Sequence, residues 1–230
     1  VTAGLGVGIT AQRVSRCEIR NCEFLCLRGA AIDWYCPAGG RLELTNCVQV
    51  GQVGLFVHPE RSQFSDVSVV IDGSSFVAEK IVRLMLLGRP FRSRDKAGRV
   101  SWPITVSVSN SVLDAAGAVL EVDRSGDSQR DSGGGRPPDG IRWSGEGNLF
   151  VTGERMLSVR VQGRPISVPW APRGLKDWER LWDGHERSAL SARPDAEALT
   201  LHRRAVANLA SITAEKFRLP VSSPGRGTGP

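Results

Sequence analysis

The residues with a claim to chemistry lie far apart along the chain: Asp33, His58, Arg83 and Glu121. Asp33 is the fourteenth residue of RNCEFLCLRGAAID (20–33), and His58 is the fourteenth of TNCVQVGQVGLFVH (45–58). Arg83 follows His58 by 25 positions, and Glu121 stands four residues after Gly117. Alternation with Ile32, Val57 and Leu120, which read as inward, sends all four to the outer face of strands. A carboxylate, an imidazole and a guanidinium on one such face are the parts needed for acid–base work or a lyase step on a polysaccharide. No Asp-Asp pair or acidic cluster accompanies them, so the ordinary polarity of exposed strand positions is the preferred reading.

The five cysteines, at 17, 22, 26, 36 and 47, suggest zinc by spacing alone, through Cys22-x3-Cys26 and Cys17-x4-Cys22. A structural zinc needs four ligands converging on one point. An odd count also argues against a fully paired disulfide framework. The preferred reading is packing, with Cys22 stacked on Cys47 and both turned inward as small apolar groups; a disulfide and a metal site are the alternatives. The three histidines (58, 185 and 202) leave little material for a metal, and no G-x-S-x-G, Walker or dinucleotide fingerprint occurs. GLGVG at 4–8 lacks the helix and Lys-Ser/Thr that a phosphate loop requires.

These residues are positioned by a repeat. Gly4, Gly29 and Gly54 are 25 apart, as are Val7, Ile32 and Val57, and Ile19, Asn21 and Cys22 return as Leu44, Asn46 and Cys47. Looser copies follow at 71–86, 109–122 and 146–161. Each unit holds two short alternating segments, which excludes helical repeats, and its period is too short for a four-stranded propeller blade. Coils stacked about 4.8 Å apart in a parallel β-solenoid fit. Like residues then form ladders, and Asn at the turn tolerates left-handed backbone geometry while bonding the next Asn in the stack.

The chain has 230 residues with 30 Lys and Arg against 24 Asp and Glu, a net charge of +6. No basic run interleaved with aromatics appears, so nucleic acid is not an expected partner. No apolar stretch is long enough to span a membrane as a helix. Residues 88–103 form a charged insertion and 124–140 one rich in Gly, Ser and Pro. After a proline-rich connector, 175–190 reads as a helix with Leu175, Trp178, Leu181 and Trp182 on one face, and about Asp195–Ala210 as a second, with Leu199, Ala205, Val206 and Leu209 inward. Residues 1–163 are thus expected to be solenoid, and 164–230 a connector, two helices and an irregular tail. The chain reads as a piece of a longer protein.

LELTNCVQVGQVGLFVH and VSVSNSVLDAAGAVLEV resemble the repeats of the right-handed parallel β-helices of the pectate lyase-like superfamily, over about residues 1–163. The tail FRLPVSSPGRGTG is similar to an ending found after such β-helices in large bacterial proteins, and DWERLWDG to a segment preceding it. The resemblance implies an all-β, right-handed, single-stranded parallel β-helix of about six coils with a short C-terminal helical appendage, exported or at the cell surface. Some relatives carry a Ser/Thr kinase domain elsewhere in the polypeptide, but nothing here resembles kinase catalytic motifs. The superfamily spans pectate lyases, polygalacturonases, epimerases, phage tailspikes and non-catalytic modules. This sequence lacks the Asp pair with a nearby Gly-His of polygalacturonases, and also the calcium carboxylates and catalytic Arg motif of pectate lyases. The leading expectation is a non-catalytic module, carbohydrate-binding or structural, with a polysaccharide and flanking domains of the same polypeptide as partners and no cofactor. One alternative is a polysaccharide lyase or glycoside hydrolase using Asp33, His58, Arg83 and Glu121, the only reading with a place for Ca²⁺. The other is a protein-interaction scaffold built on the charged loops and Trp178/Trp182.

Overall fold

The alternation seen in the sequence builds strands that pair in parallel, each on its counterpart in the next unit. The computed structural model describes residues 2–4, 8–60, 66–86, 93–94, 100–101, 104–124, 140–152, 155–168 and 171–192. In chain order the strands of the first half are β1 (Thr2–Gly4), β2 (Ile9–Gln12), β3 (Arg16–Arg20), β4 (Glu23–Cys36), β5 (Arg41–Thr45), β6 (Val48–Pro59), β7 (Val67–Asp72) and β8 (Ser75–Leu86). Then come β9 (Ser93–Arg94), β10 (Val100–Ser101), β11 (Ile104–Ser109), β12 (Val112–Arg124), β13 (Ile141–Glu146), β14 (Leu149–Thr152), β15 (Leu157–Val161) and β16 (Arg164–Ile166). Helix α1 (Leu175–Leu181), β17 (Glu186–Arg187) and β18 (Leu190–Ala192) complete the described chain.

Two parallel sheets result. The shorter strands form a six-stranded sheet in the order β17-β13-β11-β7-β5-β3, and the longer ones belong to a ten-stranded sheet along β1-β4-β6-β8-β12-β14-β18. Each unit contributes one strand to each sheet, an arrangement compatible with a β-solenoid. Antiparallel pairing is confined to β9 with β10 and β15 with β16 among the described residues. Between the sheets, side chains stack in like columns: Leu42, Val69 and Val106 from the smaller sheet, Ile32, Leu55, Val82 and Leu120 from the larger, all fully buried. A strand with one apolar face can bury it only against its neighbours in such a stack, so the repetition of aliphatics is a packing requirement.

The turn joining the two sheets is fixed by backbone chemistry. Asn21, Asn46 and Asn110 adopt φ of 54°, 51° and 49°, and Gly73 and Gly147 hold the same place at 56° and 65°. Asn reaches this left-handed region more easily than other side chains, and the Asn46 Nδ2 donates to Asn21 Oδ1 at 2.8 Å as the ladder reading expects. One residue later an inward column runs Cys22, Cys47, Ser74, Ser111, Asn148, joined by backbone bonds of 2.8–2.9 Å from the following residue of each next unit. Cys17, Cys22, Cys36 and Cys47 are free thiols.

The 25-residue register holds only between β3 and β5 and over the first part of β4 and β6; the next unit, β7 and β8, stands 27 positions on. Glu23 pairs with Val48, 25 positions on, but after a bulge between Cys26 and Ala30 the pairing is Ala30 with Val53, 23 positions on. Gly51 stands at the bulge because a Cβ there would overlap the Cys26 carbonyl oxygen. Ile32 therefore faces Leu55, and Val57 faces Trp34, rather than each other. A second correction concerns 175–190. The helix ends at Leu181, where Asp183 (φ 53°) and Gly184 (φ 71°) turn the chain out of it. Residues 186–192 then rejoin both sheets through β17 on β13 and β18 on β14. The second expected helix, about 195–210, lies outside the described residues, as do the tail and most of the two insertions.

Candidate functional site

The four sequence candidates do meet on the outer face of the larger sheet, though not in the single column expected. The register slip puts Phe56 opposite Asp33, and Tyr35 opposite His58. Arg83 pairs with Phe56, and Glu121 with Arg83, 27 and then 38 positions along. Two adjacent outward columns result, Asp33–Phe56–Arg83–Glu121 and Tyr35–His58 with Asp123 beyond, and contacts run diagonally between them. The His58 Nε2 lies 2.8 Å from Asp33 Oδ1. The imidazole is sandwiched, with the Tyr35 ring stacked at 4.2 Å and 10° and the Phe56 ring tilted at 3.8 Å. Arg83 lies over the other residue of this aromatic group, its Cζ 4.7 Å from the Phe56 centroid, a cation–π placement.

Arg83 then ties the aromatic end to an ionic one. Its Nε is 3.1 Å from Glu121 Oε1 and its Nη2 donates to Asp123 Oδ2 at 2.8 Å. Glu121 Oε2 also faces Lys80 Nζ at 3.7 Å and Arg160 Nη1 at 3.8 Å, while Lys80 reaches Glu79 at 3.1 Å. Asp123 Oδ1 accepts from the Gly163 backbone N–H at 3.3 Å. Neither the Asp33–His58 nor the Arg83–Glu121 contact is a well-aligned hydrogen bond; the second is an ion pair, and the first becomes one only when His58 is protonated. Sequence reasoning missed Tyr35, Phe56, Lys80, Asp123 and Arg160. All lie in the same strands or the next unit, and reading positions two residues either side of each candidate would have found most of them.

Outward position does not mean exposure here. Glu121 is 2 % exposed, Asp123 3 % and His58 8 %, whereas Tyr35 keeps 38 % of its surface in water. Burial pushes the His58 pKa down, with Arg83 acting in the same direction and Asp33 opposing it, so the imidazole is neutral at pH 7. Both buried carboxylates are engaged by cations, and each of Arg83, Lys80 and Arg160 faces a carboxylate. Acid–base cleavage of a glycan needs a carboxyl group free to hand over or take up a proton beside the scissile bond, and the cluster offers none in the Arg83–Glu121 half.

The other candidates fare as follows. Among the described residues no group of three or more His, Cys, Asp or Glu is placed to hold a metal ion. Burial raises the thiol pKa of Cys17, Cys26 and Cys47 and lifts that of Cys36 to about 12, which makes these cysteines poor nucleophiles. Trp178 and Trp182 are buried, at 0 % and 4 % exposed, so they are not surface anchors for a partner. No described helix is long and apolar enough to cross a membrane. No family model matches the chain, and neither a curated protein nor a solved structure matches it.

Proposed function

We propose that the chain is a right-handed, single-stranded parallel β-helix of the pectate lyase-like kind, acting as a non-catalytic module that binds an extended carbohydrate within a larger bacterial protein. The supporting observation is the division of the outer face. Its Arg83–Glu121–Asp123 half is a buried, mutually neutralised network, which serves to hold neighbouring units in place. Its other half presents the half-exposed Tyr35 ring beside Asp33, with His58 locked behind. An exposed aromatic ring next to a carboxylate is a common chemistry for gripping a sugar, the ring packing on C–H groups and the carboxylate accepting from hydroxyls. The test is a glycan array read together with assays for new reducing ends and for unsaturated products. Retention of one glycan class without turnover, lost in Tyr35→Ala, supports the reading; no retention on any glycan sinks it.

A lyase or hydrolase is the second reading, favoured by the convergence of Asp33, His58, Arg83 and Glu121 and by a neutral imidazole oriented by a carboxylate. That pair has the form of a general base with its orienting group. Depolymerisation of a glycan, abolished in His58→Ala, would establish it in place of the first.

A further inference from the structure

One inward column of the smaller sheet is aliphatic until its last two described members. Ile19, Leu44, Ile71 and Val108 follow one another in register, then Gly145, then Glu186. A carboxyl thus closes an apolar column, and it is 4 % exposed. Its Oε2 accepts from Trp143 Nε1 at 2.7 Å and its Oε1 from Asn148 Nδ2 at 2.8 Å. Gly145 makes the room, since a Cβ there would overlap the carboxylate.

Two further structures meet at this point. The first is the polar ladder under the turns: the Cys47 N–H donates to Ser74 Oγ, the Ser74 N–H to Ser111 Oγ and the Ser111 N–H to Asn148 Oδ1, each at 3.1 Å. Asn148 passes this ladder on to Glu186. The second is α1, whose Trp178 packs edge-on to Trp143 at 5.0 Å and lies 6.3 Å from Phe150, with Trp182 edge-on to Trp178 at 5.6 Å. The carboxyl lies where the helix covers the end of the stack.

We propose that Glu186 is a latch: it seats the C-terminal helix on the end of the stack while protonated and releases it on ionising. Among the described residues no cation contacts it. Arg142 is paired with His185 (3.3 Å), Arg180 with Asp177 (3.3 Å), and Arg187 and Glu146 are exposed on the outward side of their strands. Burial disfavours ionisation of Glu186 and Glu179 of α1 adds a like charge in the same direction, while the N–H groups of Asn148, Trp143 and Trp178 oppose them. The net effect raises the Glu186 pKa above its ordinary 4.5. The folded state then holds the proton more tightly than the unfolded one. The latch is fully effective at acid pH and weakens as pH rises through the raised value. Release uncovers Trp143, Phe150, Trp178 and Trp182 together, an apolar surface at the end of the module.

Hydrogen exchange on the full chain, followed by mass spectrometry from pH 4 to pH 8 and corrected for intrinsic rates, tests this. Protection within 171–192 is expected to fall about tenfold for each pH unit from about pH 4.5 up to the raised midpoint and to level off above it, while β6, β8 and β12 keep theirs. Glu186→Gln is expected to flatten the profile. An unchanged profile in that variant, or pH-independent protection in the wild type, overturns the latch. Should the variant not fold, NMR titration of the Glu186 carboxyl carbon in the wild type decides instead: a midpoint well above 4.5 supports the proposal, and one at or below 4.5 overturns it.

Discussion

Asp114 is the most exacting test of the packing described above. It belongs to an outward column of the larger sheet, paired with Val77 on one side and Val151 on the other. Both valines are under a tenth exposed although they point away from the core. The carboxyl therefore sits in an apolar strip with no cation contact among the described residues, and burial raises its pKa from 3.8 to about 6. At about 1.4 kcal/mol per pH unit, this rise corresponds to a destabilisation of at most ~3 kcal/mol once the group is ionised. Partial exposure brings the figure down to about 1–3 kcal/mol. The folded state is the better proton binder, so this stability is present below pH 4, is lost between about pH 4 and 6, and stays lost above. Asp114→Asn keeps the shape and removes the charge. At pH 8 it is expected to raise Tm by about 2–12 °C, given roughly 2–4 °C per kcal/mol for a chain of this size, and to leave Tm near pH 3.5 almost unchanged. Thermal melts of the two proteins across that range measure the difference directly. A gain that does not vary with pH would refute the electrostatic argument, and a loss at pH 8 would refute the apolar surroundings as well.

Gln49 is fully buried in the inward column of Phe24 and Phe76, and neither atom of its amide has a partner. Gln49→Leu removes this desolvation cost and is expected to stabilise by about 1–3 kcal/mol in urea titrations; destabilisation would show that the amide is satisfied in solution. Glu121 faces three cations at 3.1–3.8 Å. Its replacement by Gln leaves Arg83 with Asp123 and Lys80 with Glu79, and removes the carboxylate that Arg160 faces. The expected loss is about 1–3 kcal/mol, and a loss under about 0.5 kcal/mol would mean that the network is solvated. His58 is held neutral by burial, so its contribution is complete above pH 6.5 and lost as pH falls below that value. His58→Phe, which keeps a ring between Tyr35 and Phe56, is expected to flatten the acid melting curve below pH 6.5; an identical curve would assign that acid sensitivity to other groups.

The repeat was legible because stacking forces it into the sequence. Asn21 over Asn46 and Cys22 over Cys47 are separated by the same 25 residues in space and in sequence. The legibility fails first between Cys26 and Ala30, where the first unit carries two residues more than the second, and again before β7, where the period lengthens to 27, and at the bulge between Ala115 and Ala118. The first of these leaves no mark on the alternation pattern, since a slip of two residues returns every side chain to the same face. Faces were therefore read correctly while neighbours were not, and the expected Asp33–His58 column is a diagonal contact between two columns. The same reasoning explains the end of the chain. Leu175, Trp178, Leu181 and Trp182 have true helical spacing, but the segment after them is too short for its pattern to distinguish helix from strand. What decides it is pairing with Gly145 and Asn148, partners about 40 residues earlier whose role no local window contains. In this fold a local sequence pattern selects the face of a residue and the stack selects its company. Since the chemistry of the outer face and of the latch depends on company, both required the register of the whole stack to be known.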